Sequence, residues 1–304
     1  MINPARKFLR LIAVIAGLGC MVIGAHAQTA NASQGPQAGQ KVAFLGDSIT
    51  QFGMQPGGYV VLVDQGMDKA GRKIVVIPAG VSGNTSKDML ARLQRDVIDK
   101  KPDWMTLSCG VNDVWHGARG VPLDQYKTNI TAIVDQATAA GIKVVILTST
   151  MIMEDPGNAF NKELADYNDF LRGFAKERHL PLADLNADMQ AELASEKTEL
   201  PGLKGTILTV DGVHMNGVGN EMMAGGVLKA FGMDDAQLAQ VKAAWLDLPD
   251  TASVDAKARI SVRDYAGLQK AASDQGTSVE AMLAVDVDKD VKNHLAPANT
   301  AAKP

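Results

Sequence analysis

Short apolar runs rich in β-branched residues alternate along this chain with longer stretches whose apolar residues recur at helical spacing. The apolar runs are Lys41–Leu45, Lys73–Ile77, Trp104–Ser108 and Lys143–Leu147, with Pro181–Leu185 as a weaker fifth. Runs this short and this continuously apolar suit strands covered on both faces. Between them lie amphipathic runs at about Tyr59–Ala70, Ser86–Asp99, Pro122–Ala140 and Asn161–Arg178. Two of these stop at Ala70-Gly71 and Ala140-Gly141, junctions at which helices commonly end. The alternation predicts an α/β fold, a three-layer α/β/α sandwich on a central, mostly parallel five-stranded sheet. In such sheets ligands bind beyond the carboxyl ends of the strands, where the strand order switches direction.

Both ends of the chain differ from this middle. Arg6, Lys7 and Arg10 precede an apolar run from Leu11 to Gly24, and Ala25-His-Ala27 offers small residues for cleavage. Residues 1–27 therefore read as a secretory signal peptide, which implies a secreted or periplasmic protein with no stable membrane span after its removal. Residues 28–40, rich in Ala, Gln, Gly and Ser, read as a flexible spacer. The main domain is expected over 41–232. From about Met233 the chain carries Ala-rich helical stretches, Ala236–Leu246, Val262–Ser273 and Ser278–Leu283, expected to form a C-terminal helical extension with a disordered end.

Composition narrows the partners. The 304 residues are 46% hydrophobic, enough for a sizeable core, and the net charge of −4 becomes −7 once the three basic residues of the leader are gone. An acidic protein without a basic stripe is a poor partner for nucleic acid. Cys20 would leave with the leader, so Cys109 would have no partner for an internal disulfide despite export; a lone Cys in an apolar run is most often a small buried hydrophobe.

The candidate chemistry begins where the first strand ends. Gly46-Asp-Ser48-Ile-Thr leaves a serine hydroxyl at a strand terminus, and Asp211-Gly-Val-His214 supplies a carboxylate and an imidazole far downstream. A serine hydroxyl is a weak nucleophile until a base takes its proton. Between them fall Gly80-Val-Ser-Gly83-Asn-Thr and Gly110-Val-Asn112-Asp113. These four blocks, in this order, resemble the SGNH hydrolases, the GDSL-type esterases and lipases, over roughly Lys41 to Gly232. The resemblance implies a flavodoxin-like fold, Ser48 as nucleophile, His214 as base and Asp211 as the residue that orients the imidazole. It also implies an oxyanion hole of the Ser48 and Gly83 backbone N–H groups and the Asn112 side chain, and no cofactor. Two positions depart from the family pattern: Pro78 stands where the second block usually has Asn, and Met215 where Pro usually follows the histidine.

Each residue has a plainer reading as well. Ser48 suits a helix cap, Gly80 and Gly83 suit a tight turn, and Asn112-Asp113 reads as a turn signal. Of the other histidines, His26 lies in the leader, His179 closes a helix, His294 lies in the tail, and His116 follows Trp115 near the third block. Asp286, Asp288 and Asp290 alternate as in a calcium loop, but Val291 stands where that loop needs Gly and no Glu closes it, so no metal site is expected.

Ile49-Thr50, Gly57-Gly-Tyr59-Val, Lys101-Pro-Asp-Trp104 and Gly110-Val-Asn-Asp-Val-Trp115 look similar to the acetylxylan esterases and related carbohydrate acetylesterases of this superfamily. Tyr59 and Trp115 could then wall a sugar-binding surface, although ordinary packing explains Tyr59 equally well. The expected substrate is a small-molecule or polysaccharide acetyl ester, with a homo-oligomer possible. The alternatives are a lysophospholipase, arylesterase or thioesterase of the same superfamily, or an O-acetyltransferase using the same triad; a non-catalytic binding module fits the intact blocks poorly.

Overall fold

The structure, a computed structural model, describes residues 35–199, 205–248 and 261–295. The expected leader lies outside the described residues, as do positions 28–34 of the spacer and the last nine residues of the tail. Five strands, β1 (Lys41–Gly46), β2 (Val75–Gly80), β3 (Trp104–Ser108), β4 (Lys143–Leu147) and β5 (Leu182–Ala183), form one sheet in the order β2-β1-β3-β4-β5. Every pairing is parallel, with β1 registered on β2 from Lys41↔Val75 to Gly46↔Gly80. The inner strands are buried but for the lysines that open β1 and β4, as the continuous apolar runs require, and all five residues of β3 are buried. Pro78 is accommodated because β2 is an edge strand, where a missing N–H need not face a neighbour.

Eleven helices are described: α1 (Ser48–Phe52), α2 (Tyr59–Lys69), α3 (Ser86–Asp96), α4 (Val111–Trp115), α5 (Leu123–Ala139), α6 (Ala159–Glu177), α7 (Leu185–Glu199), α8 (Gly217–Ala230), α9 (Asp235–Trp245), α10 (Val262–Asp274) and α11 (Val279–Leu295). The crossovers place α3, α5 and α6 side by side on one face of the sheet, and α2 with α8 on the other. Local chemistry starts several helices. Thr85 and Asp88 form a capping box on α3, Asn158 caps α6 and Asn216 caps α8.

The structure differs from the sequence reading in three places. Helices α7 and α8 lie where none was expected. The expected spacer is held down over residues 35–40, where Gly39 N donates to Lys73 O (2.8 Å) and Val75 N to Gln40 O (2.8 Å), continuing the β1–β2 pairing. The first tail helix, α9, buries Leu238, Val241 and Trp245 and packs on α2 and α8. The Asp286–Asp290 stretch lies within α11, with all three carboxylates exposed. No helix among the described residues is long and apolar enough to cross a membrane.

Candidate active site

Strand β1 ends at Gly46, and the chain turns at once into α1. Asp47 makes that turn: its carboxylate accepts the N–H of Ile49 at 2.9 Å and caps the helix. Ser48, the first helical residue, thereby sits half-buried at the carboxyl end of the sheet. Strand order switches direction between β1 and β3, so Ser48 lies at the switch point expected of a ligand site. His214 Nε2 lies 2.9 Å from Ser48 Oγ across 166 positions of sequence. The His214 Nδ1 lies 2.7 Å from Asp211 Oδ2. Asp211 Oδ1 also accepts the backbone N–H groups of His214 (2.9 Å) and Val213 (3.0 Å). Partial burial would raise the Asp211 carboxyl, but the bonds from the His214 ring and from these two amides outweigh it and hold the pKa below the usual carboxylate value. Asp211 is therefore an anion, and an anion at this distance favours the imidazole tautomer that carries its proton on Nδ1.

The other two blocks reach the same end of the sheet. Gly83 follows β2 with φ +76, and the space its missing Cβ would fill is open. Only glycine holds that backbone comfortably while leaving the amide approachable. Gln51 of α1 steadies this loop by accepting from both the N–H and the hydroxyl of Ser82 at 2.7 Å. Asn112 lies in α4 after β3, buried, and its side-chain amide donates to Asn84 O at 3.0 Å. Gly110 before it has φ +137, and a Cβ there would lie 2.3 Å from Ser149 Oγ, so β3 and β4 can meet at this height only because position 110 has no side chain.

Arg92, which the motifs do not mark, joins these loops from beneath. Only 8% exposed, it donates Nη2–H to Gly46 O (2.8 Å), Nε–H to Asn84 Oδ1 (2.6 Å) and Nη1–H to Asp96 (3.1 Å). One guanidinium thus ties the strand before Ser48 to the residue between Gly83 and Asn112.

Three buried acidic groups lie under the site. Asp113 accepts from the Ser86 N–H at 3.0 Å, from its hydroxyl, and from Cys109 Sγ at 3.5 Å. Burial raises the Asp113 carboxyl although the Ser86 bonds oppose it. Burial, and then the charges of Asp113 and Asp47, push the Cys109 thiol up, so it stays protonated and inert. Burial likewise raises Asp47 from 3.8 to about 6, helped by Asp113 and opposed by the Ile49 N–H and the His214 charge. An acid whose pKa is higher folded than unfolded holds its proton more tightly when folded, so its contribution to stability falls as pH rises from 3.8 to 6. The penalty at neutral pH is of order 3 kcal/mol. Asp47→Asn keeps the cap acceptor and removes the charge. Its urea midpoint is expected to fall less between pH 4.5 and 7 than that of the parent, and equal falls would refute the assignment.

Tyr59 does not join Trp115 in the expected wall. Tyr59 is fully buried, its hydroxyl 2.9 Å from Thr50 Oγ1 and its ring edge-on to Phe44, and burial pushes its phenol up. It is a packing residue out of a substrate's reach, because its side chain is wholly buried. Trp115 is half-buried against the core at the end of α4. The aromatic ring beside the triad is Phe52, 41% exposed and 5.0 Å from the His214 ring. Its place in the last turn of α1, four residues after Ser48, was the available signal. Met215 turns into the cluster of Met151, Met189, Leu193 and Leu208 and leaves the histidine loop closed without the usual proline.

A parallel α/β sandwich that holds a serine, an imidazole and a carboxylate in one hydrogen-bonded line beyond its strand ends defines an α/β enzyme of the ester-cleaving class. The chain belongs to the GDSL-like lipase/acylhydrolase family, whose model matches residues 44–222, and it is a carboxylic ester hydrolase. It is 28% identical over 217 residues to an acetylxylan esterase of Geobacillus stearothermophilus, covering 65% of this chain and 96% of that one. The crystal structure of the acetyl xylan esterase AlAXEase is similar at 33% identity, with a TM-score of 0.58 over 62% of this chain and 98% of that chain. The Geobacillus enzyme Axe2 is similar at 27% identity, with a TM-score of 0.58 over 65% and 96% of the two chains. Solved structures of Axe2 include catalytic mutants at a serine, an aspartate and a histidine.

Proposed function

We propose that this esterase removes acetyl groups from carbohydrate hydroxyls through a Ser48–His214–Asp211 triad and an acyl-enzyme. The observation that carries the reading is the unbroken line of hydrogen bonds from Ser48 Oγ through the His214 ring to Asp211. His214 Nε2 takes the Ser48 proton as Oγ attacks the ester carbonyl carbon, and the carbonyl oxygen becomes an oxyanion. The backbone N–H groups of Ser48 and Gly83 and the second amide hydrogen of Asn112, whose first is used on Asn84, stabilise that charge. Protonated His214 then gives its proton to the leaving sugar alkoxide, and water enters by the same route to release acetate. The residue types replaced in the Axe2 catalytic mutants, a serine, an aspartate and a histidine, agree with these roles.

The acetylxylan esterase relatives favour a carbohydrate acetate over a long acyl chain, and half-buried Trp115 near Asn112 offers an apolar face to a sugar ring. The basic-then-apolar start of the chain supports action outside the cytoplasm, with cleavage after Ala27. Acetate release from acetylated xylo-oligosaccharides is the test, measured beside hydrolysis of p-nitrophenyl esters of increasing length. The protein is expected to deacetylate the sugars and to lose kcat/KM steadily beyond short acyl chains. A steep preference for long chains would refute the carbohydrate reading and favour a lipase-type one, and acetyl transfer to an added acceptor sugar in preference to water would make it a transferase.

A further inference from the structure

Asp211 and His214 lie in a loop, residues 205–216, that has no helix or strand of its own; its one β feature is an isolated bridge between Thr209 and Met215. Such a loop keeps its shape only if its polar groups find fixed partners. The partner here comes from another part of the chain, the segment after β4. Glu154 is 8% exposed, and its carboxylate accepts from Ile207 N (2.7 Å), Leu208 N (2.9 Å) and Thr209 Oγ1 (2.6 Å). All three donors are uncharged, and all belong to the loop. Thr209 Oγ1 in turn accepts the N–H of Gly212 at 3.0 Å. On the other side of the same residue, Gly212 O accepts from Met153 N at 2.7 Å. Both peptide groups of the residue after Asp211 are therefore held, directly or through one hydroxyl, by positions 153 and 154.

The backbone at those positions is unusual. Met153 (φ +61) and Glu154 (φ +48) are consecutive non-glycine residues in the left-handed region. Each costs about 1–2 kcal/mol relative to an ordinary conformation, and such strain persists where surrounding bonds over-determine it. What it achieves here is geometric: the amide of Met153 and the carboxylate of Glu154 are aimed at the same loop. Gly212 completes the fit, with φ +98 and Met153 Sδ only 2.6 Å from where a Cβ would stand.

We propose that Glu154 is a positioning residue for the reaction: through Thr209 it pins Gly212, and so sets the reach of His214 toward Ser48 and of Asp211 toward His214. The proposal rests on the reading of Asp211 and His214 as the acid–base pair. It differs from a purely structural role, because the pinned peptide lies between the two residues that must align and a displacement near 1 Å there is worth up to about 100-fold in rate.

The test compares Thr209→Val, Thr209→Ser and Glu154→Gln with the parent on a short-chain ester, together with the low-field proton resonance of the His214 Nδ1–H···Asp211 bond. Valine removes the hydroxyl and serine keeps it. Glutamine offers N–H where two backbone N–H groups and a hydroxyl already donate. Thr209→Val and Glu154→Gln are expected to lower kcat about 10- to 100-fold with KM within about twofold, and to broaden or shift the resonance. Thr209→Ser is expected to restore both. Unchanged kcat and resonance in Thr209→Val or Glu154→Gln, or no rescue by serine, would overturn the proposal. If Thr209→Val and Glu154→Gln both fail to fold, the carboxylate is a requirement of the fold and the proposal is equally overturned. Full activity of a His214→Ala protein would instead sink the underlying triad, which keeps the two failures distinct.

Discussion

His214→Ala is expected to lower kcat by about 10⁴- to 10⁶-fold while leaving the fold intact. The ring is held by only one hydrogen bond on each nitrogen, to Asp211 and to Ser48, and it lies at the surface of the site, so its removal opens no core cavity. In the proposed mechanism its loss leaves Ser48 without an acceptor for its proton and the leaving alcohol without a donor. Ser48→Ala is expected to cost the same, and the double substitution no more than either single one, because the two act as one unit. Asp211→Ala is expected to be milder, since the imidazole remains beside the serine even when its tautomer is no longer fixed. Single-turnover kinetics with a chromogenic acetate check the series; a double variant far slower than both singles would show that the groups act independently.

The second large effect is expected at Arg92. Arg92→Leu leaves Gly46 O and Asn84 Oδ1 without their donor, at a cost of roughly 3 kcal/mol for the buried acceptors, while Asp96 keeps its pair with Arg95. The loss should reach catalysis too, because Asn84 carries the carbonyl on which Asn112 rests. A displaced oxyanion donor is worth up to about 100- to 1,000-fold in kcat. Arg92→Lys separates the contributions: an ammonium can stay near Asp96, but it lacks the planar fork that reaches three acceptors at once. Lysine is therefore expected to recover part of the urea midpoint and little of kcat. A lysine variant with normal kcat would detach Arg92 from the oxyanion site.

Much of this arrangement could be read from the chain. The β-branched runs located four strands because a strand buried on both faces has few other compositions, and the four blocks marked residues that meet beyond the strand ends because each follows a strand or closes the late loop. What the sequence hid has physical causes. Helix α8 has glycines at 217, 219, 225 and 226 and little amphipathic pattern, so its local propensity argues against a helix. Packing explains that composition: the helix is buried against α2 and α7, and a Cβ on Gly226 would lie 2.5 Å from Leu185 Cδ2. Gly226, one of the glycines that conceal the helix, is also one that lets it approach α7. Tyr59 failed as a surface residue because an aromatic at the start of an amphipathic run can face either way, and only the seating of α2 on the sheet decides. Arg92 and Glu154 carry no motif; their roles exist only as distances between loops that are remote in sequence.

The borders of the sheet have a consequence for how these molecules meet one another. An uncovered strand ordinarily offers a row of amides on which a second chain can zip. On one side that row is interrupted by Pro78, and on the other β5 is two residues long. Neither margin can template an extended intermolecular ladder, which protects a concentrated protein from fibre-like stacking. An assembly of several copies would then not be built by lengthening this sheet.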